Sequence, residues 1–321
     1  MAAISTTSLV KEVVIVDGLP TVVSKILPKK RNNKYVIVVI PGNPGLVEFY
    51  DDFVTTLFNS LHGQSPVYAI SHAGHSPAED YLANPDQNCL SVDDNETKEA
   101  NSLPLSLKEQ IGHKNKFLEG HISTHSKIIL IGHSIGAYVI LNLLRTCQRA
   151  SDITKAFLLF PTVERMAISP SGRYVTPMVT YFKWLAIASS AAFSILPAFV
   201  KEFLVRWWLN DRKRLSLSSV ESILKLLTPQ SIDGVFTMAQ HEMKEVVDLD
   251  DEVIEQNLKK LLFYYGATDH WTPISYYEDM KEKFPDGEIY LCERKFKHAF
   301  VLESSEEVAE MVASWIQEVI A

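Results

Sequence analysis

The sequence predicts an α/β fold with a mainly parallel central sheet. Three observations predict it. Short, continuous runs rich in Val and Ile recur along the chain. Segments with apolar residues at three- and four-residue spacing follow most of them. Clusters of Gly, Pro and Asp separate the two.

The elements follow in order. "VKEVVIVDG" and "LPTVVSKIL" read as two strands around an Asp-Gly turn, a hairpin. "KYVIVVI" (34–40) is an apolar run suited to a strand buried on both faces, and "PGNPG" ends it. From Leu46 to Leu61 apolar residues fall at helical spacing until Gly63. "PVYAI" (66–70) and "KIILI" (127–131) are further strands, and "IGAYVILNLLRTC" is a helix. "KAFLLF" (155–160) and "KKLLFYYG" (259–266) are strands, the latter followed by the helix "PISYYEDMKEKF". "EIYLC" (288–292) is the last strand and "EEVAEMVASWIQEVI" the last helix.

Two segments break the alternation. Residues 77–104 are polar and poor in aliphatic side chains, as in a long surface loop. Residues 162–250 contain no clear strand. They read as a helical insertion, very apolar in its first half, and set the last two strands apart from the others.

Composition narrows the function classes. The 321 residues are 46% hydrophobic and 22% charged, with a formal net charge of −8. No basic block forms a phosphate-binding footprint, which argues against nucleic acid as a partner. Three widely spaced cysteines, Cys89, Cys147 and Cys292, match neither a disulfide framework nor a zinc spacing and read as reduced thiols. The N-terminal stretch "MAAISTTSLVKEVV" has no charged region followed by an apolar one, so no secretory signal is expected.

The chemistry is concentrated at "LIGHSIGAY" (130–138). A G-x-S-x-G segment after a strand and opening a helix is a nucleophile elbow. The corner imposes unusual dihedrals on Ser134, and helix and strand pass so close that Gly132 and Gly136 need to be small. A serine hydroxyl needs a base to become a nucleophile. In an α/β-hydrolase fold the order is Ser, acid, His. Of the later histidines, His298 in "FKHAFVLE" lies between the last strand and the last helix. His241 lies in the insertion, and His270 adjoins the best acid. That acid is Asp269 in "FYYGATDHWTP", after a strand end; Asp279 and Asp286 sit on a helix face and in a turn.

Two backbone N–H groups are needed to hold an oxyanion. Ile135 supplies one, and the "PGNPG" loop the other. Pro41 and Pro44 have no N–H, which leaves Gly42, Asn43 or Gly45. Asn43 is chosen, with its side-chain amide also directed to the substrate. In "SHAGHS" (71–76), His72 and His75 are assigned to structural hydrogen bonding rather than to a metal.

The set "PGNPGLVEFY", "SHAGHS", "GHSIGAY", "LFPTVERMAISPSG", "GATDHWTP" and "KHAFV" resembles the lipid droplet-associated hydrolase family, from about residue 34 to the C-terminus. The resemblance implies an α/β-hydrolase fold and a serine esterase acting on lipid esters, sterol esters among them. It implies a cytosol-facing position on lipid droplets and the endoplasmic reticulum membrane. It carries over Ser134, Asp269 and His298 one by one. The polar loop at 77–104 departs from the family pattern.

The stretch "WLAIASSAAFSILPAFV" (184–200) carries no charge, yet it is short for a spanning helix and contains Pro197. A buried cap helix and a monotopic hairpin or interfacial lid are preferred to a spanning helix. Trp184, Trp207 and Trp208 suit the headgroup boundary, and Arg212, Lys213 and Arg214 suit anionic heads.

The combined expectation is one α/β-hydrolase domain, with a helical cap at 162–250, acting as a lipid-directed serine ester hydrolase with no metal or organic cofactor. The rival readings are a droplet-surface protein acting through its apolar cap and a thioesterase or short-ester hydrolase.

Overall fold

The computed structural model describes residues 8–29, 34–76, 103–210 and 217–320. β1 (Val10–Val16) and β2 (Leu19–Ile26) form the expected antiparallel hairpin. Asp17 and Gly18 at its tip have positive φ, the twist that matches a tight hairpin turn. β2 pairs antiparallel with β4 (Val67–Ile70). Every other pairing in the sheet is parallel: β3 (Tyr35–Ile40), β5 (Lys127–His133), β6 (Ile153–Leu159), β7 (Leu261–Gly266) and β8 (Glu288–Cys292). The order of the eight strands is β1-β2-β4-β3-β5-β6-β7-β8. After β3 the chain winds first to one side and then to the other. This opens a crevice at the carboxyl ends of β3 and β5, where such sheets bind ligands.

Both faces of the sheet are covered. Val36, Val38 and Ile40 join one apolar cluster, and Ile37 and Val39 the opposite one, as the two-residue period of a strand requires. α1 (Asp51–Ser60) and α12 (Ser305–Ile320) cover the second face. α2 (Leu107–Gly120) and α3 (Ile135–Thr146) cover the first.

The sequence pattern does not announce α2. Its buried face includes Gln110, His113 and Lys114 where a helix would ordinarily place apolar residues. These polar groups are used. Gln110 exchanges hydrogen bonds with the N–H and carbonyl of Ala73, at 3.0 and 2.9 Å. Lys114 Nζ donates to the Ser71 carbonyl at 2.9 Å, and burial pushes its amine well below the usual lysine range. α2 thus holds the 71–76 loop.

Between β6 and β7 lie α4 (Pro170–Tyr181), α5 (Lys183–Ser194), α6 (Ala198–Asn210), α7 (Leu217–Leu226) and α8 (Pro229–Glu245), followed by α9 (Asp251–Asn257). The uncharged stretch at 184–200 is not one helix. α5 ends at Ser194 and α6 starts at Ala198, with Pro197 at the break, where a ring without an N–H leads into a first helical turn. No helix among the described residues is long and apolar enough to cross a membrane. Most of the polar loop expected at 77–104 lies outside the described residues, as do Arg212, Lys213 and Arg214. α10 (Ile274–Lys283) follows β7, and the short α11 (Phe300–Glu303) precedes α12.

α3 crosses the sheet at very short range. A Cβ at Gly136 would stand 2.2 Å from the Ile40 carbonyl oxygen, a backbone atom that cannot swing away. Gly136→Ala is therefore expected to destabilise the protein by about 3 kcal/mol, the upper end of ordinary overpacking costs. A lower thermal unfolding midpoint checks it; an unchanged midpoint would mean that helix and strand are farther apart.

Candidate active site

The serine corner has the expected geometry. β5 ends at His133, Ser134 takes φ 55° and ψ −121°, and α3 begins at Ile135. Positive φ is costly for a residue with a Cβ, so the surroundings have to enforce it. The Ser134 N–H donates to the Leu159 carbonyl at 3.0 Å, and the Ser134 carbonyl accepts from Ala137 and Thr162. Gly132 is required as well, since a Cβ there would meet the Gly136 backbone at 2.7 Å.

The structure brings Ser134, His298 and Asp269 together from three separate loops. Ser134 Oγ is 2.9 Å from His298 Nε2, and His298 Nδ1 is 2.6 Å from Asp269 Oδ2. A carboxylate only accepts, so the proton sits on Nδ1 and Nε2 offers its lone pair to the serine hydroxyl. Asp269 is buried at the end of β7. Its Oδ1 accepts from the Trp271 N–H at 2.7 Å, and its Oδ2 from the Thr272 hydroxyl at 3.0 Å. Burial works to raise its carboxyl, but the neighbouring His298 and these donors hold it below the usual range.

The rivals are placed elsewhere. Asp279 pairs with Arg165, and His241 with Glu245 on α8. His270 is exposed, and its carbonyl accepts from Ser171. His75 Nδ1–H donates to the Pro44 carbonyl at 2.7 Å, the structural role expected of it, whereas among the described residues neither nitrogen of the buried His72 ring makes such a bond.

The "PGNPG" loop lies over the elbow. Of its three candidate donors, Gly42 is already engaged, giving its N–H to Tyr50 Oη at 2.8 Å. The expectation that the Asn43 side chain reaches the substrate is overturned. Its Nδ2 donates to the Val235 carbonyl at 3.0 Å and to Glu242 Oε1 at 2.9 Å, both on α8. Glu242 is an acid that sequence reasoning passed over. Burial pushes its carboxyl up to about 8, against the opposing bond from Asn43.

A cavity of about 510 Å³ adjoins His298, Asn43 and His133. Its wall includes Phe49, Val301 and Leu302 and, from α6, Leu204, Val205 and Trp208, and among the described residues no Asp, Glu, Lys or Arg side chain lines it. The outer side of the insertion is also apolar. Trp184 and Trp207 are 68% and 69% exposed, Phe199 is 75% exposed and Ile195 85%, with Phe203 beside them. Pro197 is exposed at the tip between α5 and α6. α6 is thus two-sided, with Val205 buried inward and Phe203 and Trp207 turned outward.

The winding of the sheet, with a strained serine corner after β5, defines the chain as an α/β-hydrolase by fold. A sequence model described as lipid-droplet associated hydrolase matches residues 33–301, and the chain belongs to that family. The lipid droplet-associated hydrolase of Gallus gallus is 39% identical over 297 residues, covering 92% of this chain and 87% of the relative. That of Homo sapiens is 38% identical over 286 residues, covering 89% and 85%. A serine hydrolase from Cycloclasticus zankles superposes with a TM-score of 0.61 at 13% identity, covering 97% of this chain and 99% of the other. An epoxide hydrolase from Vigna radiata gives 0.57 at 14%, covering 98% and 99%. These distant structures share the fold, and their different chemistries show that the fold alone does not choose a reaction.

The Asn43–Glu242 contact generates a prediction. The folded state favours neutral Glu242, while an unfolded glutamate ionises near pH 4.3. Its contribution to stability is therefore complete below the ordinary carboxylate range and is lost as pH rises towards about 8. Relative to Glu242→Gln, the parent chain should lose thermal stability steadily up to about pH 8 and no further above it. Unfolding midpoints that run parallel for the two chains between pH 5 and 9 would mean that Glu242 ionises in the folded state as it does in the unfolded one.

Proposed function

We propose that this chain is a lipid-directed serine ester hydrolase, acting on neutral lipid esters such as sterol esters. The observation that carries the reading is the unbroken line Ser134–His298–Asp269 beside an uncharged, apolar cavity. Ser134 attacks the ester carbonyl. His298 takes its proton and passes it to the leaving alcohol, while Asp269 holds the ring and stabilises the imidazolium. The backbone N–H groups of Ile135 and Asn43 bind the oxyanion. Water, deprotonated by His298, then releases the acid from the acyl-enzyme. The 162–250 insertion serves as the cap, and its two-sided helix α6 roofs the cavity.

The place of work is the lipid droplet surface and the cytosolic face of the endoplasmic reticulum membrane. The family name supports the droplet, and the exposed apolar side chains of Trp184, Ile195, Phe199, Phe203 and Trp207 support a lipid surface. Phe199, Phe203 and Trp207, four residues apart along α6 and each exposed, ask for an apolar partner. Pro197 and Trp208 lie with them, and Arg212, Lys213 and Arg214 follow in sequence, suited to anionic heads.

Two experiments test the proposal. Ser134→Ala should abolish labelling by a fluorophosphonate, and His298→Gln should remove most ester hydrolysis, each with little change in thermal stability. The double variant should be scarcely worse than either single one, because the groups act as a unit. His270→Ala should keep most of the activity. Labelling of Ser134→Ala equal to the parent would rule out Ser134 as nucleophile.

The second experiment uses oil droplets coated with a phospholipid monolayer. Ile195→Asp, Phe199→Asp and Phe203→Asp together should weaken flotation with the droplets by about tenfold or more, since charges in an apolar band are costly. Fluorophosphonate labelling in solution should be retained, because the three positions face outward. Undiminished flotation would show that another surface makes the contact.

A further inference from the structure

We propose that Tyr50 and His133 are positioning residues that tie the oxyanion loop, the nucleophile elbow and the base loop into one hydrogen-bonded unit. The proposal rests on the catalytic reading above and adds residues that it does not use. Three contacts form the chain. The Gly42 N–H donates to Tyr50 Oη at 2.8 Å. Tyr50 Oη lies 2.6 Å from His133 Nδ1. His133 Nε2 lies 2.9 Å from the backbone carbonyl of His298.

The direction of every bond is forced. A carbonyl only accepts, so Nε2 of His133 carries the proton. Nδ1 is then a lone pair, and the Tyr50 hydroxyl donates to it. The Tyr50 oxygen is left to accept the Gly42 N–H. No other arrangement of protons satisfies the three contacts, so the chain has one state rather than several. Both side chains are buried, and burial holds the His133 ring neutral by lowering its pKa to about 3. Phe300 packs edge-on against the His133 ring with centroids 4.8 Å apart, which fixes the plane of the imidazole.

The ends of this chain are the parts that the reaction needs in register. Gly42 is one residue before Asn43, whose N–H is assigned to the oxyanion. His133 is one residue before Ser134. The His298 carbonyl belongs to the base itself. The loop and the elbow are also in direct contact: a Cβ on Gly42 would meet Ser134 Cβ at 2.9 Å and His133 Nδ1 at 3.3 Å. A shift of the loop therefore moves the oxyanion donor relative to the nucleophile. Donors aimed at a developing oxyanion act on the transition state and not on the bound ester, so their misplacement is read in kcat rather than in KM.

The test compares the full chain with Tyr50→Phe, His133→Phe and the double variant. Tyr50→Phe removes one hydroxyl and keeps the ring that lines the cavity. It should slow fluorophosphonate labelling of Ser134 by about tenfold or more and lower kcat on a short aryl ester in proportion, with KM within about twofold. The double variant should be no slower than the slower single one, because either change breaks the same chain. A purely structural role would lower the unfolding midpoint and leave the labelling rate of the folded fraction unchanged. Labelling of Tyr50→Phe at the parent rate, or single losses that multiply in the double variant, would overturn the proposal while leaving the catalytic reading intact. A parent chain that is not labelled at Ser134 would overturn both.

Discussion

The site depends on how closely one helix passes a sheet. α3 starts directly from β5 and crosses β3 at a separation that only glycine at 132 and 136 permits. That approach turns the chain so sharply at Ser134 that its backbone adopts a positive φ. The cost of such a conformation is of the order of 1–3 kcal/mol, and it is met by the packing of the strands on both sides. In exchange the serine hydroxyl stands at the carboxyl end of the sheet, within reach of the loops that follow β7 and β8 and bring Asp269 and His298.

Around that corner lies a polar framework buried to an unusual degree. Gln110 and Lys114 of α2 hold the 71–76 loop by its backbone, and His75 of that loop holds the Pro44 carbonyl. From the other side, Glu242 and the Val235 carbonyl on α8 hold the Asn43 amide. A loop without regular structure has many backbone groups to satisfy when it is buried, and the neighbouring elements supply partners for them. Buried polar groups left without partners are expensive, so these bonds restrict the loop to few arrangements. Rigidity near the nucleophile therefore comes from hydrogen bonds to three different elements rather than from apolar packing alone.

Much of this was legible in the sequence because it is local. Val- and Ile-rich runs locate β3 and β5, Leu- and aromatic-rich runs locate β6 and β7, and the glycines around Ser134 mark the elbow. The positions of Asp269 and His298 follow from chain order. What was not legible depends on distant partners. α2 was missed because Gln110, His113 and Lys114 interrupt the apolar period on the very face that it buries. Asn43 was expected to point at the substrate, but the acceptors that capture it lie about 200 residues further on, at Val235 and Glu242. His133 was in plain view within the elbow motif, yet its role depends on Tyr50, a residue that helical spacing explains equally well as core. The apolar stretch at 184–200 reads in the sequence as one uncharged run, and the structure divides it at Pro197 into α5 and α6.

The two-sided helix α6 has a consequence for how the cavity communicates with its surroundings. Val205 and Leu204 form part of the inner wall, while Phe203 and Trp207 belong to the outer surface of the same two turns. Among the described residues, the inner wall and the outer surface there meet in this one helix. A ligand of the outer face that shifts α6 changes the shape of the volume behind it. By thermodynamic reciprocity, an occupant of that volume alters the affinity of the outer face by the same factor. Were the outer face to seat on a surface, that adhesion and the filling of the cavity would be coupled equilibria, joined through the thickness of a single helix.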